Sequence, residues 1–229
     1  TRLPRILVPC GSSPSRAGPV RGAALRGPAP MSAPAPPRPG RSGPPQTVHG
    51  EQRVLVVGAT GLVGRAAIEH YRALGGWRVT GLSRRRPADL DASDHLAVDL
   101  ADAPAVRRAL AAAPAVTRVV YTALYEKPDL VAGWVDPGQI DTNVLMLRNL
   151  LDALAASPSA ATLRHVTLLQ GTKAYGSHVR RVPVPAKERW PRGDWPIFYW
   201  PQEDLLRERS GREGWAFTLL RPQLILGGS

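Results

Sequence analysis

Residues 53–64 read Arg-Val-Leu-Val-Val-Gly-Ala-Thr-Gly-Leu-Val-Gly. The apolar run at 54–57 predicts a strand buried on both faces, and three glycines at three-residue spacing predict a turn into a helix. In such a turn the first glycine permits a sharp reversal, the second lets a pyrophosphate approach, and the third lets the helix pack against the strand. The spacing is one residue longer at the front than the commoner G-x-G-x-x-G. We therefore predict a dinucleotide-binding turn, with a plain strand-to-helix turn as the alternative, formed by Gly58, Thr60, Gly61, Leu62, Val63 and Gly64.

The next predicted strand, residues 77–82, is followed by Ser83-Arg84-Arg85-Arg86. In a dinucleotide-binding fold this strand end meets the adenosine ribose, where an acid would select NAD by binding the ribose hydroxyls. No acid stands here, and a guanidinium can bind the additional 2′-phosphate of NADP in bidentate fashion. We therefore predict NADP(H) as the cofactor, held in part by Ser83, Arg84 and Arg85. A solvated arginine run on a loop is the alternative.

Strands and helices alternate over the rest of the chain. Further strands are predicted at 95–100, 117–121, 163–169 and 216–220, and helices at 62–74, 103–113, 139–156 and through Arg209. This alternation predicts an α/β fold with a doubly wound parallel sheet, the Rossmann fold, whose ligands lie at the carboxyl ends of the strands. The third and fourth strand ends therefore contribute four more predicted cofactor contacts: Asp99, Leu100, Thr122 and Ala123. Asp99 is alternatively a helix cap.

The first 50 residues differ in composition from the remainder. They hold 12 of the 24 prolines, seven arginines and no acid, and they show no hydrophobic periodicity. Such a segment buries too little apolar surface to offset its ordering entropy, so we predict a disordered leader at 1–50 and an NAD(P)-binding domain at 51–229. The leader is read as low-complexity sequence, with Met31 as a plausible true start. An organelle presequence and a proline-rich partner ligand around residues 34–39 are the alternatives.

Charge and cysteine content exclude several classes of protein. The net charge is +12, but residues 51–229 hold 23 basic and 18 acidic groups, so nucleic acid is not a predicted partner. The single cysteine, Cys10, excludes an internal disulfide framework, and no apolar run reaches the 18 residues of a membrane helix. The five histidines lack metal-ligand spacing and are expected in solvated or capping roles. We expect a soluble protein of a reducing compartment, the cytoplasm, without metal or membrane partner.

Several spaced motifs resemble one family of enzymes. The glycine turn, the Ser-Arg-Arg strand end and Gly171-Thr-Lys-Ala-Tyr-Gly176 resemble the short-chain dehydrogenase/reductase superfamily. Phe198-Tyr-Trp-Pro-Gln-Glu-Asp204 and Arg221-Pro-Gln-Leu-Ile-Leu-Gly227 resemble its progesterone 5β-reductase and iridoid synthase-like branch, including bacterial members. The resemblance runs from about Arg53 to Gly227. It implies reduction of the carbon–carbon double bond of an enone with NADPH.

The resemblance also implies a catalytic pair. Ordinary short-chain reductases carry Tyr-x-x-x-Lys on one helix, but here no tyrosine has a lysine four residues on; Tyr199 is followed at that spacing by Glu203. The branch splits the pair, which carries over to Lys173 and Tyr199. Tyr199, assisted by Lys173, would stabilise the enolate oxygen that develops as a hydride reaches the β-carbon.

By the same resemblance, Pro222 and Ile225 would border the nicotinamide. Tyr175, beside Lys173, is predicted to line the substrate pocket. For Lys173 and Tyr199, a surface lysine and a packing tyrosine are the alternatives.

Two other functions and one structural question stay open. A sugar-nucleotide epimerase or dehydratase is disfavoured by the missing Tyr-x-x-x-Lys, and a non-catalytic NADP(H)-binding module is the third reading. Relatives of the branch continue into a last core strand and a small substrate-binding domain, whereas this chain stops at Ser229, so we expect a truncated C-terminal part. Surfaces left exposed would favour oligomers, for example a homodimer.

Overall fold

The computed structural model describes residues 52–128 and 133–227. Strands and helices alternate along the chain as β1 Gln52–Val57, α1 Leu62–Leu74, β2 Trp77–Ser83, β3 His95–Ala97, α2 Ala103–Ala112, β4 Arg118–Tyr121, α3 Pro137–Ala155, β5 His165–Leu169, α4 Tyr199–Glu213 and β6 Ala216–Leu220. Short 3₁₀ turns occupy residues 92–94, 158–161 and 172–175. The predicted leader at 1–50 lies outside the described residues.

The six strands form one parallel sheet in the order β3-β2-β1-β4-β5-β6. Chain order runs outward in both directions from β1 and β4, so the crossovers diverge between these two strands. In open α/β sheets this divergence leaves a crevice beyond the carboxyl ends of the central strands, where ligands bind. The predicted α/β fold with a doubly wound parallel sheet is therefore confirmed.

β1 is buried on both faces, as its apolar run predicts. Leu55 and Val57 pack into a large cluster formed with α2, α3 and α4, while Val54 and Val56 pack into a smaller one that contains Ile68 of α1. Alternate side chains of a strand point to opposite faces, so the four residues serve two helical layers. This double burial holds the glycine turn that follows β1 at a fixed position.

Two predicted element ends differ from the structure by three residues or more, and the others differ by at most two. β3 stops at Ala97 rather than Leu100; Val98 N still donates to Ser83 O (3.2 Å), after which the chain turns away from β2. α4 continues past Arg209 to Glu213, one turn beyond its predicted end, because Arg209 pairs with Glu213 along the helix. The helix then ends at Gly214, whose φ of 78° is a left-handed conformation that favours glycine.

The cap of α2 is also not the predicted one. Asp102 stands at the N-cap, and its Oδ1 accepts a hydrogen bond from Ala105 N at 2.9 Å. Asp99 Oδ1 instead accepts from Ala101 N (2.9 Å), which holds the turn between β3 and the helix. Asp99 therefore remains at the carboxyl end of β3 and does not cap α2.

Candidate cofactor and active site

The first and third glycines of the turn are required by close backbone contacts. Gly58 has a φ of 88°, and a Cβ there would lie 2.8 Å from both Ala123 N and Thr122 Oγ1. A Cβ on Gly64 would lie 2.1 Å from Gly58 O, which no shift of a side chain could relieve. The first glycine therefore lets the segment after β4 approach the turn, and the third lets α1 pack against it, as predicted.

The second glycine, Gly61, leaves open space beside the start of α1 rather than a close backbone contact. Gly61 has an ordinary φ of −79°, and a Cβ on it would meet only Gly58 O, at 3.4 Å. Gly61 has no side chain with which to cap α1, and among the described residues no acceptor binds the amides of Leu62, Val63 and Gly64. These free amides, at the positive end of the helix dipole, form a cradle for an anion.

A cavity of about 350 Å³ opens at this edge of the sheet. Ten predicted cofactor residues line it: Gly58, Thr60, Gly61, Ser83, Arg84, Arg85, Asp99, Leu100, Thr122 and Ala123. Five do not: Leu62, Val63, Gly64, Pro222 and Ile225. Sequence analysis did not identify the remaining lining residues, which are Leu82, Val98, Ala101, Leu124, Tyr125, Thr142 and Met146. They lie on the strand ends and on α3, and no short motif marks them.

The arginine run divides between two environments. Arg84 and Arg85 are exposed and line the cavity, and neither guanidinium forms a hydrogen bond or ion pair within the described part of the chain. Arg86 turns away, and its Nη1 donates to Leu90 O at 2.6 Å. Two adjacent free guanidiniums at the end of β2 can bind a phosphate dianion.

Asn143 supports the segment that follows β4. This residue of α3 is fully buried; its Oδ1 accepts from Tyr125 N (2.9 Å), and its Nδ2 donates to Tyr125 O (2.8 Å). This amide is therefore neither solvated nor a cap of the helix. It holds the segment after β4 at Tyr125, because it satisfies both backbone groups of that residue.

Lys173 and Tyr199 meet on one aromatic side chain. Lys173 Nζ lies 3.6 Å from the centroid of the Trp134 ring, and the Tyr199 ring packs edge-on against the same indole with a centroid separation of 6.0 Å. Phe198 stacks on Trp134 at 5.3 Å. No hydrogen bond joins Lys173 to Tyr199 in the described regions. The predicted pair is thus brought together through Trp134, which sequence analysis did not identify.

The Tyr199 hydroxyl lies against the backbone after β5. A Cβ built on Gly171 would be 3.2 Å from Tyr199 Oη and 3.8 Å from Pro222 O, so Gly171 admits both groups. Pro222 therefore lies beside the tyrosine rather than in the main cavity. Gln170 Nε2 donates to Tyr199 O (3.0 Å), which ties the start of α4 to the end of β5.

Burial sets the protonation of this region. It raises the pKa of Tyr199, which is 6% exposed, and Glu126 adds to this while Arg221 opposes it. Burial lowers the pKa of the Lys173 ammonium, against the opposing charge of Glu126. The phenol is therefore protonated at neutral pH and available as a hydrogen-bond donor.

A buried carboxylate links α4 to the strand end that follows it. Glu203, 4% exposed, binds Arg221 Nη2 through Oε2 (2.7 Å) and Arg207 Nη2 through Oε1 (2.6 Å), and Arg192 also reaches it at 3.2 Å. Arg221 Nε in turn donates to Gln170 Oε1 at 3.0 Å. These bonds fix the first turn of α4, on which Tyr199 lies, relative to β5 and β6.

The last two predicted contacts lie apart from the main cavity. Tyr175 lines a second cavity of about 280 Å³, with its ring edge-on to Trp190 at 6.2 Å and under the Arg221 guanidinium at 5.6 Å. Ile225 is 39% exposed on the segment after β6. That segment returns to the glycine turn, because a Cβ on Gly227 would lie 2.9 Å from Leu62 Cδ1.

Three histidines depart from the solvated or capping roles that sequence analysis assigned. His95 is 8% exposed and bonded to Ser83, His165 bonds Thr218 on the neighbouring strand, and both ring nitrogens of His178 are buried. In residues 52–128 and 133–227 no group of three or more His, Cys, Asp or Glu side chains could hold a metal ion. No helix in these regions is long and apolar enough to cross a membrane.

Comparison with known proteins identifies relatives of the chain. The sequence model of the NAD dependent epimerase/dehydratase family matches residues 54–195. The chain is 30% identical over 188 residues to (S)-8-oxocitronellyl enol synthase of Catharanthus roseus, covering 76% of this chain and 45% of that protein. It is 32% identical over 192 residues to 3-oxo-Delta(4,5)-steroid 5-beta-reductase of Arabidopsis thaliana, covering 78% and 47%. The chain thus spans less than half the length of these relatives.

A solved structure shows the same fold. A short-chain dehydrogenase/reductase superfamily protein from Agrobacterium tumefaciens with bound NAD superposes with a TM-score of 0.58 at 23% identity, over 74% of this chain and 48% of that one. The predicted resemblance to the superfamily and to its 5β-reductase and iridoid synthase-like branch is confirmed by these matches.

Proposed function

Because the chain belongs to the NAD dependent epimerase/dehydratase family, we propose that it is an oxidoreductase that uses NADPH to reduce the carbon–carbon double bond of an enone. The similarity to a steroid 5-beta-reductase and to an enol synthase supports this class of reaction. The observation that carries the proposal is the convergence of Lys173 and Tyr199 on Trp134. We propose that residues 51–229 form the NAD(P)-binding domain and that the protein acts in the cytoplasm.

The main cavity fits a dinucleotide. The unbonded amides at the start of α1 and the open space at Gly61 suit a pyrophosphate, and the Cβ of any other residue at position 61 would intrude into that space. Asp99 and Leu100 would border the adenine, and Thr122 and Ala123 the route towards the nicotinamide. Pro222 and Ile225 would approach the nicotinamide from the segment after β6.

The two free guanidiniums at the end of β2 favour NADPH over NADH. Arg84 and Arg85 line the cavity with no hydrogen-bond or ion-pair partner among the described residues, so a 2′-phosphate would not have to displace an ion pair there. Charge-assisted bonds of this kind contribute about 1.5–3 kcal/mol each. Arg86, bound to Leu90 O, would contribute little.

The residues around Trp134 suit stabilisation of a developing negative charge. The bound cofactor would supply a hydride to the β-carbon of the enone. Tyr199 Oη–H would donate a hydrogen bond to the enone oxygen, where charge develops, and burial keeps this phenol protonated. The Lys173 ammonium, held over the indole ring, would add positive charge beside it. Both interactions strengthen as the enolate forms, and they would therefore lower the barrier. Tyr175 would contact the substrate from the second cavity.

The cofactor test is calorimetric titration of the purified 229-residue chain with NADPH and with NADH. We expect tighter binding of NADPH, weakened about tenfold or more by Arg84→Ala and by Arg85→Ala. Arg86→Ala is the matched control, since it removes the same charge from the same run but lies outside the cavity. If the chain bound neither NADPH nor NADH, the oxidoreductase proposal would be refuted.

The catalytic test is consumption of NADPH in the presence of small enones. Tyr199→Phe should lower kcat by about a hundredfold while leaving the affinity for NADPH unchanged. Tyr121→Phe is the matched control: its hydroxyl is buried without a hydrogen-bond partner in the described regions, so turnover should be retained. Binding without enone reduction would favour a non-catalytic module. Sugar-nucleotide conversion without net cofactor consumption would favour an epimerase.

A further inference from the structure

The turn that carries Arg84 and Arg85 is held by a buried pair of polar side chains. Ser83, the last residue of β2, is 9% exposed, and His95, the first residue of β3, is 8% exposed. Ser83 Oγ lies 2.7 Å from Arg85 O and 2.9 Å from His95 Nε2. The pair therefore joins the core of the sheet to the backbone of the arginine turn.

The available hydrogens determine which group donates in each of the two hydrogen bonds of Ser83. A carbonyl oxygen only accepts, so Ser83 must donate its single hydroxyl hydrogen to Arg85 O. The bond to the imidazole then requires His95 to donate from Nε2, which assigns the Nε2–H tautomer from the hydrogen-bond network. Burial, aided by the Arg86 charge, lowers the pKa of His95 and favours this neutral ring. The result is a directed relay from His95 through Ser83 to Arg85 O.

The relay acts on the arginine turn, which follows Ser83 in the chain, whereas the glycine turn is bonded to Leu82, which precedes it. Leu82 O accepts from Gly58 N and Ala59 N, and Ser83 O accepts from Val98 N. These backbone bonds hold the strand end without either side chain of the pair. The Arg85 carbonyl is held only by Ser83 Oγ among the described residues. Loss of the relay would thus loosen the turn at Arg84 and Arg85, while Arg86 stays bonded to Leu90 O and the glycine turn stays in position.

We propose that His95 and Ser83 form a positioning pair that sets the preference for NADPH over NADH by holding Arg84 and Arg85 at the cavity. The inference rests on the proposed cofactor site. NADH and NADPH differ only in the 2′-phosphate, which the proposed site assigns to Arg84 and Arg85. A released turn must be reordered when the phosphate binds, which weakens NADPH binding and leaves NADH binding unchanged.

The test is titration of the full chain with both cofactors for four variants. Ser83→Ala and His95→Leu each break the relay, and the affinity for NADPH should fall about five- to tenfold in each, the effect of one lost hydrogen bond. The affinity for NADH should change by less than about twofold in His95→Leu, because His95 does not line the cavity. His95→Gln can place an amide N–H near the position of Nε2 and should restore most of the preference. The double variant Ser83→Ala/His95→Leu should lose no more affinity for NADPH than either single variant, because both substitutions act through one relay.

His165 supplies a matched control. It is also the first residue of a strand and also bonds a hydroxyl through Nε2, Thr218 Oγ1 at 3.0 Å, but at the opposite end of the sheet from the cavity. His165→Leu should leave the ratio of the two affinities unchanged.

Equal weakening of both cofactors in His95→Leu and Ser83→Ala would overturn the inference, because it would indicate general damage to the site. An unchanged preference for NADPH in both variants would overturn it as well, while the proposed function would stand. If the unsubstituted chain bound neither cofactor, the proposed function itself would fail, and the inference with it.

Discussion

Lys173 and Tyr199 are connected by Trp134, whose indole ring carries the Lys173 ammonium 3.6 Å from its centroid and meets the Tyr199 ring edge-on. The three residues come from three separate segments: the turn after β5, the start of α4 and the approach to α3. A cation over an indole is attracted by the ring quadrupole, and the attraction grows when water is excluded. Trp134 thus orients the lysine and restricts the tyrosine at the same time.

Replacing Trp134 should separate turnover from cofactor binding. Trp134→Leu removes the surface under Lys173, and we expect kcat to fall about tenfold, the equivalent of a cation–π contact of about 1–2 kcal/mol. The affinity for NADPH should not change, because Trp134 does not line the main cavity. Trp134→Phe retains a weaker aromatic face, and its kcat should lie between that of the unsubstituted chain and that of Trp134→Leu. Steady-state kinetics and calorimetry measure the two effects; unchanged turnover in Trp134→Leu would refute the role of this ring.

Substituting alanine for the second or the third glycine of the turn should affect different properties, cofactor binding for Gly61 and stability for Gly64. Gly64→Ala sets a Cβ against Gly58 O, and we expect about 3 kcal/mol or more of lost stability. Gly61→Ala meets nothing closer than 3.4 Å and should fold normally, yet its methyl group would enter the space for the pyrophosphate, so NADPH should bind about tenfold more weakly.

Gly211 on α4 provides the control for these glycine variants. A Cβ there meets nothing within 4 Å, so Gly211→Ala should stabilise the chain by about 0.5 kcal/mol and leave binding intact. Urea unfolding measures the stability of the three glycine variants, and calorimetry measures their affinity for NADPH. An unstable Gly61→Ala, or a Gly61→Ala that binds NADPH normally, would contradict the assignment of the pyrophosphate cradle.

The buried Glu203 should contribute more to stability than an exposed glutamate of the same helix. Glu203→Gln leaves the partly buried Arg221 guanidinium without its carboxylate, and removing one partner of such a pair costs about 3 kcal/mol. Glu208→Gln breaks an exposed pair with Arg212 and should cost less than about 0.5 kcal/mol. Unfolding in urea compares the two. Equal effects would show that the arginine cluster around Glu203 does not hold α4.

Acidification should destabilise the chain before its carboxylates titrate. Burial lowers the pKa of His95, His165 and His178 from the ordinary value of 6.5, so each ring binds a proton less readily in the folded chain than in the unfolded chain. Just below pH 6.5 the unfolded chain therefore carries more protons, and the free energy of unfolding falls as pH falls. Urea unfolding between about pH 7.5 and about pH 5.5 measures this slope. Stability that stayed constant or rose over this range would contradict the burial of the three rings.

The fold could be predicted because its signals are local. The apolar run of β1, the glycine turn and the alternation of strands with helices each follow from neighbouring residues, and parallel pairing follows from the alternation. The end of β3 at Ala97 could not be predicted, because it depends on where β2 stops accepting hydrogen bonds from a strand that is distant in sequence. The length of α4 depends similarly on the Arg209 and Glu213 pair and on the conformation of Gly214.

The candidate site could be predicted only where motifs mark it. The glycines and the arginine run carry recognisable spacing, and the resemblance supplied Lys173 and Tyr199. Trp134 carries no motif and reaches Lys173 only after the sheet has brought three segments together. The buried role of His95 could not be predicted, because its partner, Ser83, is 12 residues away and the bond depends on the pairing of β2 with β3.

Transfer of deuterium from NADPH labelled at the nicotinamide C4 tests the central claim most directly. The 229-residue chain, the labelled cofactor and a small enone would be incubated together, and the product examined by NMR. The proposal predicts one deuterium at the former β-carbon, a saturated carbon–carbon bond and an intact carbonyl group, with the labelled product forming about a hundredfold more slowly in Tyr199→Phe. Deuterium at the carbonyl carbon, or its absence from the product of a chain that binds NADPH, would contradict the assignment as an enone reductase.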